Sequence, residues 1–164
     1  MDLGFVKPKN NNFLVSRYQT TAQIAGAIVK AIDESQPTAQ KLSKYFVNPD
    51  QATSSKLIFI FSKNLLPYKK ESSSRQTART LNRIIADSKS GGDCKHFATM
   101  AAALCKSLGI KCKLRLISQR ANDPTPNHIY CVAVIKGKDY IIDPVLKSFD
   151  TEARYNSKFD IKIN

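Results

Sequence analysis

Residues 91–116 read GGDCKHFATMAAALCKSLGIKCKLRL, and the order of residue types in this stretch decides the fold. Gly91-Gly92-Asp93 is a turn. The following residues, 94–108, are apolar on most sides and hold no glycine or proline, which predicts a helix buried in the middle of a domain. Gly109 stands where a left-handed residue closes such a helix. In 110–118, Lys111, Lys113 and Arg115 alternate with Cys112, Leu114 and Leu116, the period of a half-buried strand with one basic face. A second stretch, 127–145, reads NHIYCVAVIKGKDYIIDPV. Its apolar run at 128–136 predicts a buried strand, the turn KGKD joins it to a strand at 140–143, and Pro144 ends the pairing.

Working outward from there, residues 1–16 are polar and Asn-rich and read as an extended arm. Residues 18–34 place Ile24, Ile28, Ala31 and Ile32 on one helical face, and Gln36-Pro37 breaks that helix. A short helix over 38–47 ends at Asn48-Pro49. Asp50 then caps a helix over 51–66, although the apolar run KLIFIF also fits a buried strand. Residues 74–87 predict a helix with Ala78, Leu81 and Ile85 as its apolar stripe and Arg75, Arg79 and Arg83 as a basic one. A further strand is expected near 159–163. Helices first, then a central helix, then an antiparallel sheet make the fold class α+β. Two regions are expected: an N-terminal helical extension over 1–66, packing on or docking the core, and the core itself over 67–164.

Chemistry enters at Cys94. It opens the buried helix, where unpaired N–H groups and the positive end of the helix dipole favour thiolate, the nucleophilic form. The same amides can stabilise an oxyanion formed on attack. His128 begins a strand after a loop rich in Pro and Asn, and from a strand mouth it can reach a helix N-terminus and act as general base. Asp143 closes the next strand. Antiparallel pairing through a short turn brings the end of one strand beside the start of the other, so Asp143 is expected next to His128, where it can fix the imidazole tautomer. His96 lies two residues after Cys94 and points away from the thiol on a helix, so it reads as structural. Cys105, Cys112 and Cys131 fall on apolar faces and read as inert core thiols.

With those residues in place, GGDCKHFATMAAALCKSLGIKCKLRL followed by NHIYCVAVIKGKDYIIDPV resembles the transglutaminase-like superfamily, of papain-like fold. The resemblance runs from about Tyr68 to Val145 and is closest in flavour to small bacterial and phage-borne members. It implies a Cys-bearing central helix packed on an antiparallel sheet that carries His and Asp. It also implies Cys94 as nucleophile, His128 as base and Asp143 as orienter, with no cofactor. Lys95 departs from the pattern, since many members carry an aromatic residue after the Cys. The implied reaction is thiol-dependent acyl transfer on amide bonds, as in a cysteine peptidase or amidase. A protein-glutamine transglutaminase would use the same groups. The third reading is a non-catalytic structural or interaction protein, virion- or nucleic-acid-associated, that retains the fold.

Composition bounds the rest. The chain has 164 residues, the length of one ordinary domain, and 26 Lys and Arg against 13 Asp and Glu give a net charge of +13. Such a chain is drawn to polyanions, and Arg75, Arg79, Arg83, Lys111, Lys113 and Arg115 are the candidate contacts to cell envelope or nucleic acid. No C-x-x-C pair is present, which argues against a zinc site, and no helix-turn-helix, zinc or RNP signature argues for sequence-specific nucleic-acid binding. The N-terminus lacks the apolar core of a signal peptide, and no apolar run approaches the ~20 residues that span a bilayer. The expected location is therefore cytoplasmic, or else a phage particle or release on lysis.

Overall fold

A computed structural model describes residues 12–15, 21–72 and 76–163 of the chain. Twelve elements follow in order among the described residues: β1 (Asn12–Val15), α1 (Thr21–Glu34), α2 (Gln36–Ser43), α3 (Gln51–Leu65), β2 (Gln76–Arg79), α4 (Leu81–Ala86), α5 (Cys94–Ser107), β3 (Cys112–Ser118), β4 (His128–Ile135), β5 (Lys138–Ile142) and β6 (Ser157–Ile163), with a single 3-10 turn at Ser88–Ser90. The class is α+β.

The helix at the centre is α5. Eleven of its residues, Lys95 through Cys105, are buried, because one side meets β3 and β4 and the other meets α1, α2 and α3. Its start is fixed by a capping box. The Asp93 side chain accepts from the Lys95 N–H, and the His96 side chain accepts from the Asp93 N–H. Its end is closed by Gly109, at φ 68°.

The sheet order is β5-β4-β3-β6, with every neighbouring pair antiparallel. In β3, Cys112, Leu114 and Leu116 join the main core against α5. On the other face Ile117, Tyr130, Val132 and Ile141 form a smaller cluster under Ala153 and Tyr155. The expected hairpin is β4–β5, and the C-terminal strand is β6, which pairs with β3 rather than extending the hairpin.

Residues 51–65 are a helix, which resolves the ambiguity of their apolar run. The Asp50 carboxylate accepts from the N–H groups of Ala52 and Thr53 at 3.2 and 3.0 Å, and Ser54, Ser55, Ile58, Phe59 and Ser62 form the buried stripe. Pro37 sits in the first turn of α2, where its missing N–H costs nothing. Helices α1, α2 and α3 share one apolar core with α5 and the sheet, through Ile28, Ile32, Leu42 and Ile58 among others.

The helix expected over 74–87 does not form. Residues 76–79 are β2, paired antiparallel with β1 in the register Phe13↔Ala78, and only 81–86 are helical, with Leu81 and Ile84 buried. Pairing with a distant strand has overridden a helical pattern of local origin. The expected arm over 1–16 is described only where β1 forms; its other residues, and Arg75, lie outside the described residues.

Four of the basic residues have acidic neighbours. Arg79 is bound to Glu71 at 2.9 Å and Arg83 to Asp87 at 2.5 Å. On β3, Lys113 contacts Asp139 and Asp160, and Arg115 contacts Asp139, Glu152 and Asp160. The strand face is basic in sequence and neutralised in space. Lys111 is exposed. Among the described residues, no helix is long and apolar enough to cross a membrane.

Candidate active site

Cys94 is the first residue of α5 and is partly exposed, whereas Cys105, Cys112 and Cys131 are buried. The two glycines before it are there for space. A Cβ on Gly92 would lie 2.9 Å from both His96 Nδ1 and Leu66 Cδ2, and one on Gly91, at φ 75°, would lie 2.8 Å from the Pro67 carbonyl oxygen. The turn is therefore pressed against residues 66–69. Gly92 N–H donates to the Pro67 carbonyl at 3.0 Å, and Lys69 N–H donates to the Gly92 carbonyl at 2.8 Å. The Cys94 N–H has no acceptor among the described residues, which leaves a first-turn donor beside the thiol.

His128 opens β4, and Asp143 follows the last residue of β5. The ladder pairs Cys131 with Ile142, so the strand mouth and strand end meet beyond its last rung. His128 Nε2 lies 2.6 Å from Asp143 Oδ2, and Asp143 Oδ1 accepts from the Val145 N–H at 3.2 Å. With Nε2 committed to the carboxylate, Nδ1 is the ring nitrogen left for the thiol. Cys94 is a hydrogen-bond partner of His128. Burial works against the imidazolium, but the bond to Asp143 and then the contact with Cys94 outweigh it, and the His128 pKa is pushed up to about 9. At neutral pH the ring is therefore charged. Tyr130 backs the ring at 5.5 Å between centroids, its hydroxyl donating to Glu152.

The structure thus brings together Cys94, His128 and Asp143, and keeps His96 apart. His96 is fully buried and serves the helix cap, with Nε2 3.2 Å from Thr77 Oγ1.

Two features of the site carried no signal in the sequence. Tyr68 is half exposed, stacked on Phe97 at 6.5 Å, and bridged through the backbone to Gly92. Burial, then the charges of Cys94, Asp93 and Asp143, push its phenol up, so it stays protonated and able to donate. The second feature lies under Cys94. Glu71, Asp93 and His96 are spaced closely enough to hold a metal ion. The cation within this group is the Lys95 ammonium, which touches Asp93 and lies 3.6 Å from Glu71. The Nδ1 of His96 is also engaged as acceptor, so the donor set fits a buried ion-pair cluster rather than a metal centre.

The family profile that matches this chain agrees with this fold. The sequence profile of the transglutaminase-like superfamily matches residues 23–144, a span that starts well before Tyr68 and takes in α1 to β5. No curated protein matches. Among solved structures, the chain is similar to a candidate cysteine protease from Cytophaga hutchinsonii, at 20% identity and a TM-score of 0.49, over 81% of this chain and 48% of that one. The chain spans about half the length of that structure.

Proposed function

The chain belongs to the transglutaminase-like superfamily, and from that premise we propose that it is a thiol-dependent acyl-transfer enzyme, a cysteine peptidase or amidase. Cys94 is the nucleophile, His128 the base and later the acid, and Asp143 the group that holds the imidazole. The observation that carries the reading is the contact chain from Cys94 through His128 to Asp143, with 2.6 Å between ring and carboxylate. The thiolate attacks an amide carbonyl, His128 delivers its proton to the leaving amine, and a water deprotonated by His128 releases the acyl group. The Cys94 N–H and the Tyr68 hydroxyl are the candidate donors to the oxyanion. An amine in place of that water would make the product a new amide, as in a transglutaminase. The net charge of +13 supports an anionic substrate or partner, such as a cell-envelope peptide.

The test is the alkylation rate of each cysteine from pH 4 to 9, read by mass spectrometry, for the wild type and His128→Ala. The expected result is that Cys94 reacts far faster than the other three below pH 7 and loses that lead in the variant. Amide substrates are then screened with and without an added amine. A Cys94 no faster than Cys105 would sink the proposal.

A further inference from the structure

Directly beneath the nucleophile lies a cluster of charged and polar side chains that the acyl-transfer reading does not use. Its centre is Lys95, the residue after Cys94. Lys95 is only 5% exposed, which is rare for a lysine. A cation in the first turn of a helix is also on the wrong side of the dipole. Something must hold it there. Its ammonium donates to the Asp93 carboxylate, donates to Gln76 Oε1 at 2.6 Å, and lies 3.6 Å from Glu71 Oε2.

Glu71 is the second hub. Its carboxylate accepts from the Thr77 N–H at 2.6 Å, the Thr77 hydroxyl at 2.5 Å and Arg79 at 2.9 Å. Arg79 in turn donates to the Gly91 carbonyl at 3.0 Å. The backbone N–H of Asp93 donates to His96 Nδ1, which leaves Nε2 as the protonated nitrogen facing Thr77 Oγ1. The Glu71 and Asp93 carboxylates and the Lys95 and Arg79 cations thus surround the buried His96 ring.

Each of Gly91, Gly92 and Asp93 is reached from this cluster or from the segment that carries it. Gly91 is held by Arg79, Gly92 by Pro67 and Lys69, and Asp93 by Lys95 and His96. The segment that holds Gly92 also carries Tyr68 and Glu71. Glu71 and Lys95 therefore couple two edges of the site: the 67–71 segment with Tyr68, and the helix start with the Cys94 thiol and N–H.

We propose that Lys95 and Glu71 are positioning residues for the nucleophile: their buried ion pair fixes the Asp93 cap, and with it the placement of the Cys94 thiol and N–H against His128 and Tyr68. This rests on the acyl-transfer reading. Neither residue touches substrate. Loss of the pair lets the first turn of α5 shift, and a displacement of about 1 Å at a reacting group costs on the order of 10²-fold in rate.

The test compares Lys95→Met, Glu71→Gln and Lys95→Arg with the wild type and His128→Ala. It reads the pH profile of Cys94 alkylation by iodoacetamide, resolved by peptide mass spectrometry. Cys105, Cys112 and Cys131 are built-in controls, since they stay protected only while the core is folded. Lys95→Met and Glu71→Gln are expected to cut the Cys94 rate below pH 7 by about tenfold or more with the three core thiols still protected. Lys95→Arg, which keeps the cation and its donors, is expected to recover most of the rate. An unchanged Cys94 profile in both Lys95→Met and Glu71→Gln would overturn the proposal. So would exposure of the core thiols in both, because the pair would then serve folding alone. A His128→Ala profile equal to that of the wild type would instead defeat the acyl-transfer reading itself, and is separable for that reason.

Discussion

At the scale of the residue, His128 is the proposed base, and its raised pKa makes a claim about stability as well as reactivity. The folded value of about 9 lies above the ~6.5 of an unfolded chain, so folding favours the protonated ring. That contribution is complete below about pH 6.5 and is lost as pH rises through about 9. The difference in unfolding free energy between wild type and His128→Ala, measured by urea denaturation from pH 6 to 10, should therefore shrink with rising pH, by about 3 kcal/mol at most. A constant gap would mean that no imidazolium is stabilised. Asp143, whose bond to the ring raises that pKa, is also its proposed orienter. Asp143→Ala should slow Cys94 alkylation and any amide turnover by on the order of 10²-fold, less than Cys94→Ala, which should abolish both. Alkylation and turnover assays on the purified variants decide it.

At the scale of the element, the start of α5 is tightly constrained. Gly92 has no room for a side chain, with His96 Nδ1 and Leu66 Cδ2 each 2.9 Å from where a Cβ would go. Gly92→Ala should cost about 1–3 kcal/mol by overpacking, and should slow Cys94 alkylation because the turn that presents it must move. Thermal denaturation and the alkylation rate measure the two effects, and a variant with wild-type values of both would show that the turn yields freely. How much of this was legible follows from distance along the chain. The helix from Cys94 and the hairpin from His128 to Ile142 are written in local periodicity and a short turn, so their existence and the meeting of His128 with Asp143 could be read directly. Strand β2 could not, because what makes Gln76–Arg79 a strand is pairing with Asn12–Val15, while the residues themselves repeat like a helix. The charge cluster under Cys94 was equally hidden. Lys95 stood out only as a departure from the family pattern, and it is the approach of Asp93, Glu71 and Gln76 that makes its burial tolerable.

At the scale of the whole molecule, the basic excess and the basic contacts are two different things. The net charge of +13 survives every internal ion pair, yet Arg79, Arg83, Lys113 and Arg115 are each paired within the fold. Arg115 shows how. It sits on the sheet face away from α5, and its guanidinium reaches Asp139 on β5, Asp160 on β6 and Glu152 in the connection between them. Hydrogen bonds to Asp160, against the cost of burial, raise its pKa well above the ordinary value, and Arg115 in turn holds the Asp160 carboxyl at about 2. One side chain therefore ties the C-terminal strand to the sheet, and through Glu152 it also reaches Tyr130 behind His128. Arg115→Met should leave three carboxylates facing one another and cost about 3 kcal/mol, the low end for breaking a buried pair because these carboxylates keep some solvent contact. Asp160 adds a pH signature. Its folded pKa is depressed, so its contribution is present above the unfolded value of ~3.9 and is lost as pH falls through about 2. Urea denaturation at pH 7 and between pH 2 and 5 should show the variant less stable at neutral pH and less further weakened by acid. Limited proteolysis should show faster cutting in 145–157. Equal acid sensitivity in both proteins would mean that Arg115 does not hold these carboxylates in solution.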